Sequence, residues 1–347
     1  MRTCPRCQAT YSDDLAVCPD DRTPLAEPAP WAEGTIIEGK YRVVARIGQD
    51  VICTVYKAAE INSQKLRSLH VMSWGLSRDP GFVKLFQQDA LQRRRLRHAN
   101  ISRVEGIGAS NDGRPFMVME YVAGQSLKRY LELEGPFPPL RACAIARQVA
   151  AALDAAHALH MIHRDVKPES IYLLDGPGER VQLLGLGISK LREALLGDRF
   201  RTSPEAVIGT FQYLSPEQAL GHLGDQLDGR ADLYALGVVM YQMLTCDLPF
   251  RATSAADWMM AHIQGAPASI RVAHADLSIP DSLIDVVMRC LQKSRDMRPA
   301  SARRFIHELQ RVERDIGGNE NANPSATGST AAETRETSSG WRFWKKW

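Results

Sequence analysis

The order in which two periodicities succeed one another limits the fold of this chain more than any other feature. Between residues 35 and about 122 the sequence reads as short strands, among them YRVVARI (41–47), ICTVYKA (52–58) and the apolar FMVMEYV (116–122), with one helical stretch at 80–98. Beyond Val122 the spacing changes. LRACAIARQVAAALDAAHALH (140–160) and ADLYALGVVMYQMLT (231–245) bring apolar residues round at helical intervals, over lengths that suit amphipathic or buried helices. A small strand-rich lobe followed by a larger helical lobe, 123–316, predicts an α+β fold with a cleft between the two.

Composition separates the flanks from this region. Residues 1–25 are rich in Cys and Asp, and AEPAPWAEG (26–34) reads as a linker. Residues 317–340 hold almost nothing apolar and predict a disordered tail, ahead of the aromatic and basic WRFWKKW (341–347). With 347 residues, 44% of them hydrophobic, the chain can bury a sizeable core. A net charge of +3 is too small to imply nucleic acid as a partner. The opening MRTCPRCQAT lacks the apolar stretch of a signal peptide, and no run approaches the roughly 20 apolar residues of a spanning helix. Four of the seven cysteines are scattered singly through the main body, as expected of reduced thiols in a cytoplasmic protein.

The remaining cysteines are grouped. Cys4 and Cys7 stand two residues apart, and after ten residues Cys18 and Asp21 repeat that spacing. The pattern resembles a compact zinc ribbon with Asp21 as fourth ligand and Asp20 as an adjacent competitor. So few apolar residues surround it that metal binding would supply the folding free energy. A redox dithiol and a disordered leader stay open as alternatives.

In the central region, HRDVKPES (163–170) resembles the catalytic loop H-R-D-x-K-P-x-N of eukaryotic-type protein kinases. GTFQYLSPEQ (209–218) is similar to the end of that family's activation segment, with Ser-Pro-Glu for Ala-Pro-Glu. DGRADLYALGVVMYQMLT (228–245) is similar to the buried helix that follows, and DMRP (296–299) to its late Arg-Pro. These motifs, in order over roughly residues 40–313, imply a two-lobed protein kinase-like fold, nearest to the bacterial Ser/Thr kinases, preceded by the ribbon.

Several positions depart from the family pattern. In VQLLGLGISK (181–190), Gly185 stands where the resemblance implies the magnesium-binding Asp, Leu186 replaces the Phe, and Gly187 is kept. His70 in RSLHVM falls at the phosphate-pairing Lys, Asp89 at its Glu partner, and Ser170 at a second metal ligand. Of the phosphate-covering glycines only Gly48 survives, Asp50 and Cys53 taking the other places; a carboxylate at Asp50 would repel phosphate. Each lost charge contact costs roughly 3 kcal/mol. The expectation is a pseudokinase, a non-catalytic scaffold or regulator with weak or absent ATP binding, no magnesium, and Asp165 and Lys167 retained but idle. A weakly active Ser/Thr kinase using Asp165 and a nucleotide sensor without transfer are the rival readings.

Other residues follow the pattern. Glu217 and Arg298 correspond to a buried ion pair, and Asp232 to a carboxylate that bonds the catalytic-loop backbone. Met119 falls at the gatekeeper, Glu120 to Val122 at the adenine-binding hinge, and Tyr172 beneath the base. RRRLRH (93–98) reads as a solvated basic helix face, with docking of an acidic partner as the alternative. Thr202, Ser203 and Thr210 are phosphorylation candidates beside Arg164. The expected partners are proteins, active kinases or their substrates. Trp341, Trp344 and Trp347 would share one helical face suited to the inner surface of a membrane, with a protein-docking motif and a functionless tail as the open alternatives.

Overall fold

The structure, a computed structural model, describes residues 2–11, 15, 17–23, 30–188, 191 and 211–322. Two strands, β1 (Arg2–Thr3) and β2 (Thr10–Tyr11), form a small amino-terminal hairpin. The next strands, β3 (Ile36–Ile37), β4 (Tyr41–Gln49), β5 (Cys53–Glu60), β6 (Leu66–Met72), β7 (Val104–Ala109) and β8 (Pro115–Glu120), build an antiparallel sheet in the order β3-β4-β5-β6-β8-β7.

Strand alternation gives that sheet two covered faces. Val43, Tyr56, Ala58, Leu69, Val71, Phe116 and Val118 form one core, and Trp31 packs on it. Trp31 stacks on Tyr56 at 5.1 Å, and its amide donates to the Tyr56 hydroxyl at 3.1 Å. The segment read as a linker therefore ends on the small lobe. On the other face Cys53, Met72, Met117 and Met119 meet Phe82, Phe86 and Ala90. Those three belong to α2 (Pro80–Arg94), which follows the short α1 (Trp74–Ser77). Asp79 caps α2 by accepting from the Gly81 and Phe82 amides, and Pro80 fills the first turn, where no amide donor is needed.

The large lobe begins with β9 (Gly124–Ser126), α3 (Leu127–Glu134) and α4 (Pro139–His157). A second sheet pairs β9 with β10 (Ile171–Leu174) and β10 with β11 (Val181–Leu183). The remaining helices are α5 (Pro216–Ala219), α6 (Arg230–Thr245), α7 (Ala255–Gln264), α8 (Ile270–Ala273), α9 (Asp281–Cys290) and α10 (Ala302–Ala322). Nearly every residue of α6 is buried, because α4, α9 and the turn at 211–213 pack against it. Helix α10 continues to Ala322, into the stretch read from composition as tail; its apolar face packs against α4 and ends at Ile316.

Candidate active site

The loop 163–170 runs between α4 and β10, and one buried carboxylate organises it. Asp232, in the first turn of α6, accepts from the His163 amide (2.9 Å), the Arg164 amide (2.7 Å) and His157 Nε2 (2.7 Å). Burial acts to raise its carboxyl, but the hydrogen bond and charge of His157, with the loop amides, hold it below the ordinary carboxylate range. Arg164 is thereby fixed at φ +66°, a left-handed conformation uncommon outside glycine. His163 is kept neutral by burial; its Nε2 donates to the Leu184 carbonyl (2.8 Å) and its Nδ1 accepts from the Asp165 amide (3.3 Å).

Held this way, the Asp165 carboxylate meets Lys167 Nζ at 2.8 Å. Ser170 closes the loop: its hydroxyl donates to the Lys167 carbonyl (2.8 Å) and accepts from the Lys167 amide (3.0 Å). That hydroxyl serves the backbone, which answers why a side chain smaller than Asn is accommodated there. Below the loop, Arg298 and Glu217 form a bidentate pair with both N···O distances 2.8 Å.

A cavity of about 370 Å³ opens between the lobes, with Gly48, His70, Arg93, Met119, Tyr172 and Gly185 among its walls, together with Glu120 and Val122. Sheet register places Ser68 opposite Met119, and His70 beside Val55, and all four line the cleft. His70 Nε2 bonds the Ser68 hydroxyl at 3.0 Å, not Asp89. Burial, reinforced by the Arg93 charge, pushes the imidazole down to about 4, so it is uncharged at neutral pH.

The fixed charge comes from α2 instead. Phe82, Phe86, Asp89, Ala90 and Arg93 form its buried stripe, and Arg93 Nη1 lies 3.5 Å from Asp89 Oδ2. Arg93 Nη2 reaches the Met119 sulfur at 3.4 Å. This corrects the reading of RRRLRH as wholly solvated: Arg94, Arg95 and Arg97 are exposed, but Arg93 is only 6% exposed and enters the cleft. The spacing of four, seven and eleven residues from Phe82 was the overlooked signal.

At the rim, Asp50 Oδ1 accepts from the Ile52 and Cys53 amides, both at 2.7 Å. The carboxylate expected to repel phosphate is thus turned onto its own loop. Gly185 and Gly187 have φ of +88° and +87°. A Cβ at Gly187 would come within 2.5 Å of Asp89 Oδ1, so this glycine is required by close approach to the Asp89–Arg93 pair. Leu186 is buried in the large-lobe core.

Near the amino terminus, the hairpin brings Cys4, Cys7, Cys18 and Asp21 together, with one donor atom from each within 4.8 Å of the others. Two matching turns achieve this: the Gln8 amide donates to the Cys4 carbonyl and the Arg22 amide to the Cys18 carbonyl, both at 2.9 Å. The Cys7 and Cys18 sulfurs lie 3.6 Å apart, close to the separation of roughly 3.8 Å that tetrahedral zinc requires for Zn–S bonds of about 2.3 Å. Asp20 is engaged by the Tyr11 hydroxyl, leaving Asp21 as the carboxylate that faces the sulfurs. Thr202, Ser203, Thr210, Trp341, Trp344 and Trp347 lie outside the described residues.

Two antiparallel-sheet and helical lobes closing on an Asp–Lys loop define the protein kinase class of fold. Residues 41–309 match the protein kinase domain family, and the chain belongs to it. It is 38% identical over 284 residues to the serine/threonine-protein kinase pkn3 of Myxococcus xanthus, covering 81% of this chain and 51% of that protein. It is 31% identical to PrkC of Bacillus subtilis, over 75% of this chain and 38% of that kinase. The chain thus spans about half of these relatives or less. Among solved structures, the PknI kinase domain of Mycobacterium tuberculosis superposes with a TM-score of 0.61 at 26% identity, over 81% of this chain and 99% of that one.

These comparisons overturn the pseudokinase expectation. Relatives at this level of identity are named serine/threonine-protein kinases, and nothing in the match sets this domain apart as degenerate. The expectation tallied replaced positions along the sequence. It missed the cation that the fold delivers to the cleft from α2, and it gave Asp50 an orientation that the structure does not have.

Proposed function

We propose that this chain is a protein Ser/Thr kinase domain that transfers the terminal phosphoryl group of ATP to a hydroxyl of a protein substrate, with Asp165 orienting that hydroxyl and accepting its proton. The observation that carries this reading is the Asp165–Lys167 contact, presented by a loop whose backbone Asp232 and His163 hold in one geometry. Phosphoryl transfer depends chiefly on positioning and charge neutralisation. Lys167, beside Asp165, supplies positive charge at the reacting end, and the backbone of Glu120 to Val122 offers an edge for adenine.

Family membership implies ATP together with a divalent cation. Gly185 brings no carboxylate to the cleft and the Ser170 hydroxyl is bonded within its loop, so these two positions do not fit a metal and no step is derived through one. For the amino-terminal cluster, the donor set Cys4, Cys7, Cys18 and Asp21 fits a structural zinc ion with all four positions closed, which makes the segment a docking module. No helix among the described residues is long and apolar enough to cross a membrane. A cytoplasmic kinase with protein substrates, touching the membrane surface through Trp341, Trp344 and Trp347, completes the reading.

Incubating the full chain with labelled ATP and a generic protein acceptor tests the activity. Asp165→Asn is expected to lower transfer by two or more decades; equal labelling by wild type and this variant would remove Asp165 from the mechanism.

A further inference from the structure

We infer that Arg93, a residue of helix α2, is the phosphate-binding cation of the nucleotide cleft, an inference that rests on the kinase reading above. Among the described residues that line the cavity it is the only Lys or Arg. His70, on the neighbouring strand, is neutral, with its ring nitrogen bonded to Ser68. A guanidinium carries five N–H donors and cannot lose its charge in a protein. Arg93 makes two contacts, at 3.5 Å to Asp89 and 3.4 Å to the Met119 sulfur, and neither has the 2.7–2.9 Å length typical of a charge-assisted hydrogen bond. It is 6% exposed, so water is largely excluded from it. A permanently charged, buried fork with weak partners, facing a cavity, is a site for an oxyanion.

Geometry also says why the guanidinium stays there. Asp89, one turn earlier on the same buried stripe, pairs with it, and Gly187 leaves the room that both occupy. Met119, whose sulfur touches Arg93, borders Glu120 at the start of the hinge. A nucleotide whose base lies against the Glu120–Val122 backbone can therefore extend its phosphates toward α2. The cation reaches the ligand from the helix, not from the sheet.

Calorimetric titration of the 347-residue chain with ADP and with adenosine separates phosphate from base. Wild type is expected to prefer ADP. Arg93→Gln should weaken ADP binding about 10- to 100-fold and adenosine binding less than about twofold, and Arg93→Lys should recover part of the loss. A merely structural role would weaken both ligands alike, and that result overturns the inference, as does an unchanged ADP affinity. Should Arg93→Gln fail to fold, Asp89→Asn/Arg93→Gln removes both charges of the pair together; an ADP preference preserved in that double variant refutes the proposal. Phosphoryl transfer distinguishes the two levels: an active wild type whose Arg93→Gln variant binds ADP normally defeats this assignment alone. A wild type that binds neither ligand defeats both.

Discussion

Arg298 lies flat against Glu217, its two terminal nitrogens each 2.8 Å from a different carboxylate oxygen, with its side chain fully buried. Its other N–H groups donate to the carbonyls of Gln292, Arg230 and Lys293, so the whole fork is satisfied. The pair ties the first turn of α5 to the turn before α10.

Breaking this pair from one side leaves a buried charge without its counterion. Glu217→Ala is therefore expected to lower unfolding stability by about 3–5 kcal/mol. Urea denaturation measures it, and a loss below about 1 kcal/mol would mean that the pair adds little to the fold.

Asp232→Ala removes the acceptor shared by the His163 and Arg164 amides and by His157. Arg164 is then free to leave its left-handed conformation, and Asp165 moves with it. Phosphoryl transfer should fall at least about tenfold, with a stability loss of roughly 2–4 kcal/mol. Normal turnover in a folded variant would show that the loop holds its shape by other means.

Acid should destabilise the fold through two imidazoles. Burial pushes His70 and His262 each down to about 4 from an ordinary 6.5. The unfolded chain therefore takes up protons first, and stability declines as pH falls from about 6.5 toward 4, by at most about 3 kcal/mol per group. Stability curves at pH 7.5, 6 and 5 give the slope. His70→Gln should flatten it; an unaltered slope would mean that His70 titrates normally in the folded protein.

Gly187→Ala would drive a methyl group into the Asp89 carboxylate and the Arg93 side chain at a backbone angle of +87°. A cost of about 1–3 kcal/mol is expected. Gly113 also has positive φ but nothing within 4 Å of an added Cβ, so Gly113→Ala should cost less. Thermal melting compares them, and equal losses would exclude crowding as the cause.

Metal analysis of the intact chain tests the amino-terminal cluster. Cys18→Ser should lose the bound zinc, whereas Asp20→Ala should retain it, because Asp20 faces Tyr11 and Asp21 faces the sulfurs. Equal zinc in Cys18→Ser and wild type would rule out this ligand set.

Much of the site was legible because its motifs are local. A run such as HRDVKPES packs the loop turn, Asp165 and Lys167 into eight consecutive residues, so one stretch of chain names them all. Arg93 was harder to see, sitting in a run of like residues whose exposures differ only by helical phase. Asp50 was misread for a related reason: sequence identifies a carboxylate, but the hairpin's own amides determine where it points.

Sequence alone determined the two-lobed α+β architecture, because strand and helix periodicities reflect which faces must be buried and survive without knowledge of any partner. It also determined the order of the catalytic-loop groups. Only the tertiary structure decided that burial holds His70 far below its ordinary range and that the cleft's cation arrives from α2. Charge state and direction depend on desolvation and on neighbours distant along the chain: Met119 lies on another element from Arg93, and the phase of one helix turns that residue inward while its sequence neighbours face water.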